Sequence, residues 1–240
     1  MTKKLNIALL ISFASVCGAI AQESPTPTPS PAPEESAILS PPPAQTPLTS
    51  RARNIRISFV PPPLEGTVSV GIYDGNGKLV RILHQEAELN EFTIGADALV
   101  TQWDGKNDDG EDLPAGKYHA RGYLVGNLQA EPIGNSTPPD DAIPTSDIQI
   151  SLISNPLAKN RRQIINLGVG FDDENSFLKT ADGLPLFTID KKPNLTRVVV
   201  KKSGEKSLDV WEEDGDPAVQ FRISNVDEMM AFDCGDFELK

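Results

Sequence analysis

Cysteine is nearly missing from this chain: Cys17 and Cys234 are the only two among 240 residues. Histidine is as scarce, at His84 and His119, and aromatic residues make up 6% of the composition. Neither histidine has a Cys or a second His at ligand spacing, so zinc-type chemistry has no support and both read as strand side chains. No G-x-S-x-G elbow is present, which removes the usual frame for Ser-His-Asp hydrolysis. The glycines of "NGKL" and "GVGF" precede neither a Lys-Ser/Thr pair nor a helix, which removes a phosphate loop. From Arg51 onward no segment keeps a 3.6-residue apolar period over three turns, so a helical fold is excluded. The expectation is a non-enzymatic protein with no catalytic residue, no metal and no cofactor; its binding residues are unknown at this level.

The first residues are informative. Lys3 and Lys4 precede the apolar stretch "LNIALLISFASVCGAIA", and Ala19-Ile20-Ala21 follows it, which is the order of a cleavable signal peptide over residues 1–21. Export to the periplasm or the exterior is expected. An uncleaved anchor is the alternative, but Asn6, Ser12, Ser15 and Gly18 break a run already short of the roughly 20 residues a bilayer needs. Cys17 as a lipid acceptor is another, although Val16 stands where that pattern wants a small residue. Once the leader is removed Cys234 is the lone cysteine, so no intramolecular disulfide can form despite a route that permits one. A small buried residue is the expected role of Cys234.

Charge adds an exclusion. The formal net charge of the full chain is −12, and loss of Lys3 and Lys4 makes it two units more negative. Nucleic acid and, after signal cleavage, anionic membrane are poor partners for such a surface. The expected partner is an unidentified protein or cell-envelope component. Residues 22–50 include "ESPTPTPSPAPEESAILSPPPAQTPLTS", where proline recurs too often for helix or ladder and favours extended polyproline; a disordered tether is expected.

The remainder alternates in short runs bounded by Gly, Pro, Asn and Asp, the pattern of an all-β fold. "IRISFV" and "TVSVGIY" are followed by Asp74-Gly75-Asn76-Gly77, a tight hairpin that returns into "KLVRILH". "EFTIG", "LVTQW" and "GKYHARGYLVG" bring the count to six or seven strands, enough for a β-sandwich over residues 51–128. The stretches "VSVGIYDGNGKLVRIL" and "WDGKNDDGEDLPAGKYHARGY" carry a resemblance. They resemble the FlgD-type Ig-like domain, the module of the flagellar hook-capping protein also found in other exported bacterial proteins. The resemblance covers about residues 55–128, attaches to the module rather than to the whole flagellar protein, and implies an Ig-like sandwich serving as a spacer, scaffold or assembly element.

"WDGKNDDGEDLPAGKY", Trp103 to Tyr118, invites comparison with a calcium loop. With Gly110 as the sixth residue, the first and twelfth positions fall on Gly105 and Gly116, where an EF-type loop needs oxygen ligands. Turn chemistry fits better: Asp104-Gly105 leaves a strand, Asp109-Gly110 reverses the chain, Pro114 fixes φ and Gly116 frees the backbone to enter the next strand. Trp103 is expected to pack in the core beside the turn.

Residues 129–147 are rich in turn formers and read as a linker. Residues 148–240 then alternate again, in "IQISLI", "IINLGVGF", "FLKTADGLPLFTI", "TRVVVKK", "SLDVW", "PAVQFRI" and "MMAFDCGDFEL". "ADGLPLFTI" echoes "EDGDPAVQFRI", so this second β region is expected to be an antiparallel meander or a pair of propeller-blade-like units. Asp172-Asp173-Glu174 and Glu212-Glu213-Asp214 read as solvated turns rather than as glycosidase carboxylates, which must face one another across a sugar. A glycan or surface-ligand module is the alternative function. Its expected signature is an exposed row among Tyr73, Trp103, Tyr118, Tyr123 and Trp211, although all five fall where core residues are expected.

Overall fold

The computed structural model describes residues 53–144, 147–158, 162–215 and 217–240. The expected signal peptide and proline-rich tether lie outside them. Six strands come first: β1 (Ile55–Phe59), β2 (Thr67–Asp74), β3 (Leu79–Ala87), β4 (Thr93–Ile94), β5 (Leu99–Trp103) and β6 (Gly116–Val125). Nine more follow: β7 (Gln129–Asn135), β8 (Ile148–Ser151), β9 (Ile164–Phe171), β10 (Ser176–Thr180), β11 (Pro185–Asp190), β12 (Arg197–Lys202), β13 (Ser207–Glu213), β14 (Val219–Ser224) and β15 (Met229–Leu239). The fold is all-β, and every pairing between strands is antiparallel. Among the described residues no helix is long and apolar enough to cross a membrane.

Alternation explains the first sandwich. Val68, Val70 and Ile72 of β2 share a face with Tyr118, Ala120 and Leu124 of β6, and they meet Ile57, Phe59 and Trp103 from the opposing sheet in one apolar cluster. The sheets run β1-β5-β4 and β15-β6-β2-β3. The seventh strand is thus the C-terminal one. β15 pairs with β6 from Met229↔Val125 to Leu239↔Gly116, and Phe232 stacks on Phe59 at 4.9 Å. The boundary expected at residue 128 therefore does not divide the chain, because its last strand returns to complete the first sandwich.

The second sandwich is inserted between β6 and β15. Its sheets run β11-β10-β9-β8 and β12-β13-β14-β7, and they close on one cluster that includes Leu167, Leu178, Leu186, Val200, Leu208 and Ile223. Each sheet is largely a meander. The propeller alternative does not hold, since the two sheets face one another across a shared core instead of standing as blades around an axis. The echoed Asp182-Gly183 and Asp214-Gly215 are two hairpin turns whose glycines have φ of 100° and 104°, one in each sheet. The expected linker also proves to be structure: residues 129–135 are β7, paired with β14. Ala142 packs on Val199 and Trp211, Ile143 bridges Val200, and Trp211 donates Nε1–H to Ser136 Oγ at 2.9 Å.

Two strands pass side by side from one sandwich to the other. β7 pairs with β14 up to Gln129↔Ser224, and β6 with β15 from Val125↔Met229. Between them Gly126 N–H donates to Glu228 O at 2.7 Å and Asn225 Nδ2 donates to Asn127 O at 3.0 Å. This ribbon brings the second sandwich over the outer face of the first, and β2 is consequently buried at six successive residues, Val68 to Tyr73.

Candidate functional site

The covered face of the first sheet holds a cluster of polar side chains. Alternation along β6 sends His119, Arg121 and Tyr123 away from Ala120 and Leu124, toward the second sandwich. Tyr73 of β2 lies beside them, fully buried. The Arg121 guanidinium carbon sits 3.7 Å above the Tyr73 ring centre, and the His119 ring stacks on Tyr73 at 5.3 Å. From the β10–β11 turn, Asp182 Oδ2 accepts from Arg121 Nη2 at 2.5 Å, while Asp182 Oδ1 accepts from the Thr180 hydroxyl. Just before β9, Arg162 donates Nη2–H to Phe232 O at 2.7 Å and to Asp233 Oδ1 at 2.9 Å, with its guanidinium 5.3 Å from the Tyr123 ring centre.

His119, Arg121, Arg162 and Asp233 of this set, with Asp236, line an open cleft of about 490 Å³. A bulge after Asp233, with Gly235 at φ 98°, brings Asp236 to its rim. Burial pushes the Tyr73 and Tyr123 phenols up. Burial, reinforced by the Arg121 charge, pushes His119 down, so the imidazole is neutral near pH 7. Burial also works against the Arg121 charge, but Tyr73 and Asp182 outweigh it and keep the guanidinium charged. The cleft thus offers fixed cationic donors beside anionic acceptors, an arrangement suited to holding a polar group. The Tyr73 hydroxyl, Arg121 Nε, and Arg162 Nε and Nη1 are buried without a hydrogen-bond partner among the described residues.

The acidic stretch from Trp103 to Tyr118 lies elsewhere and works as a turn. Asp104 Oδ1 accepts Lys106 N–H at 3.1 Å, and Asn107 Oδ1 accepts Glu111 N–H at 2.8 Å. Asp108 Oδ1 takes Ile82 N–H at 2.9 Å, which covers part of the exposed edge of β3. Gly105 and Gly110 both stand at φ 79°. Gly116 does not adopt positive φ; a Cβ there would meet Tyr118 Cε2 at 3.7 Å, an ordinary contact, so its expected special role is withdrawn. Trp103 is buried and donates Nε1–H to Lys106 O at 2.9 Å.

His84 bonds Thr101 Oγ1 at 2.7 Å, and Cys234 is buried, its thiol pushed up by that burial. Asp172 Oδ1 caps its own turn by accepting from Glu174 and Asn175 N–H. Glu212 departs from the solvated-turn reading: it lies inside β13, fully buried, while Glu213 pairs Arg197 at 2.9 Å and Asp214 pairs Lys192 at 2.8 Å. Strand alternation gives the reason, since 208, 210 and 212 share the core face. Tyr73, Trp103, Tyr118, Tyr123 and Trp211 are all buried, so they form no exposed stacking row. Arg121 and Arg162 were not singled out in the sequence. The only local signal was an arginine at an alternate position of "GKYHARGYLVG", which looks like any outward residue until something covers it. Comparison with family models, with curated proteins and with solved structures finds no match.

Proposed function

We propose that this chain is an exported, non-enzymatic bacterial protein in which a FlgD-type Ig-like module acts as a spacer, scaffold or assembly element at the cell envelope. The observation that carries the reading is the four-stranded sheet β15-β6-β2-β3, which has an apolar cluster on one face and the second sandwich on the other. A sheet used on both faces joins two sandwiches into one compact body, which suits a part that must hold distance or orientation. Its partner is an unidentified protein or envelope component in the periplasm or at the exterior. Purified mature protein should be retained by cell-envelope fractions and should crosslink to a discrete species there. No retention, or retention equal to that of an unrelated acidic protein, removes the assembly role.

A second reading, a glycan or surface-ligand module, is favoured by the cleft beside Arg121 and Arg162. With the large rings buried, a ligand there is held by hydrogen bonds to Arg and Asp side chains rather than by stacking. A glycan array read with wild type and with Asp236→Asn tests it: binding lost in the variant supports this reading, and an array without hits ends it.

A further inference from the structure

Glu212 is a carboxylic acid inside an apolar core. Leu208, Val210 and Glu212 project from β13 toward the opposing sheet, and Glu212 has no exposed surface. Its lateral neighbours in the ladder are Val198 of β12 and Val219 of β14. Across the core, in the other sheet, the buried Ser176 of β10 donates its hydroxyl to Glu212 Oε1, and Ser176 Oγ accepts Asp190 N–H at 3.2 Å. Glu212 Oε2 is buried with no partner among the described residues. Among the described residues no cation bonds it: the nearby Lys192 amine pairs instead with Asp214 at 2.8 Å.

An ionised carboxylate with one neutral donor and one bare oxygen in such a place is much less stable than the neutral acid. The charged groups facing it are Asp190 at the end of β11, Asp214 after β13 and Lys192 in the connection to β12. The aspartates oppose its ionisation and the lysine favours it, but burial dominates and pushes its pKa up.

We propose that Glu212 is a proton-operated latch of the second sandwich. Protonated, it lies neutral beside Ser176 and lets the two sheets close over it without water. Deprotonated, it draws water to the end of the sandwich around Ser176, Asp190 and Glu212 and loosens the junction between the two sheets there. The latch is independent of the assembly and ligand readings, since it is a property of this core alone.

Two measurements on the full chain test it. In a ¹³C titration the Glu212 carboxyl should change above the ordinary glutamate value; a midpoint at or below that value overturns the latch. In amide hydrogen exchange, corrected for the intrinsic pH dependence, protection of Asp190 and of β10 should fall as pH rises through that midpoint, while Ile72 and Leu124 in the first sandwich do not follow it. Glu212→Gln, a neutral mimic of the acid, should abolish the pH dependence. If this variant does not fold, Ser176→Ala serves: it removes the one donor that favours the ionised form, so the midpoint should move further up. An unmoved midpoint, or the same pH dependence in Glu212→Gln, overturns the proposal.

Discussion

In the second sandwich, β8 to β11 follow one another as hairpins and so do β12 to β14; only β7 reaches in from outside. In the first, β6 waits for a partner that arrives after the whole insertion, Met229 pairing Val125. The difference teaches that two all-β regions of similar size can depend on chain order in opposite ways. Local hairpins close short loops at small entropic cost, whereas the β6–β15 pair must close a long one before its contacts repay it. The inserted sandwich is therefore expected to form first and the enclosing one to be completed last.

Ending the chain after Glu228 breaks this contrast most severely. It removes Phe232, Cys234 and Leu239 from the first core and only Met229 and Ala231 from the second, so the first sandwich should lose cooperative unfolding while the second, weakened, retains a transition by circular dichroism and by tryptophan fluorescence at Trp211. Phe232→Ala is the milder form, expected to cost about 3–5 kcal/mol in urea unfolding through the cavity left beside Phe59. If both changes affect the two sandwiches equally, they are one cooperative unit and the contrast fails.

Arg121→Ala examines the joint between them. It strips Asp182 of its cationic partner, leaving it the Thr180 hydroxyl, and Tyr73 of the guanidinium over its ring, and should cost about 1–3 kcal/mol. In a double-mutant cycle, Asp182→Ala should cost little more once Arg121 is gone. Additive losses would mean that the ion pair does not couple the two halves.

Gly110→Ala should cost about 1 kcal/mol because φ is 79° there, while Gly116→Ala, at ordinary φ, should cost less. The reverse order would contradict the turn geometry described for this stretch.

pH sharpens the comparison without mutation. His84 and His119, in the first sandwich, are both pushed down chiefly by burial. Their unfolded forms bind protons more readily, so their contribution to stability is lost as pH falls below about 6.5. Glu212, in the second, is pushed up by burial, so its contribution is full below about pH 4.3 and is lost as pH rises through its folded value. Amide exchange resolved by region should show acid weakening the first sandwich and base weakening the second; slopes of the same sign in both would refute the assignment.

The smallest expected effect is none: calcium or a chelator should leave the melting temperature unchanged. A bound site at 100 times its dissociation constant would add about 2.7 kcal/mol. A calcium-dependent rise abolished by Asp109→Ala would show that the acidic turn does more than turn the chain.

Alternation in "TVSVGIY", "GKYHARGYLVG" and "IINLGVGF", with Asp-Gly and Asn-Gly after the first, was enough to locate these strands and the β2–β3 hairpin, because side chains of period two and positive-φ turns are local properties. Alternation says which residues share a face and leaves open what covers it. Ser69, Gly71, Tyr73 and Arg121 have the pattern of an outward face and are enclosed only because β15 carries the chain back beside β6. Glu212 looks like one of three acids at a turn and is buried because a strand reaches two residues further than the turn signal suggests. Edge pairing between distant strands and the cover on a sheet face arise from contacts remote in sequence, so the tertiary structure alone decided them.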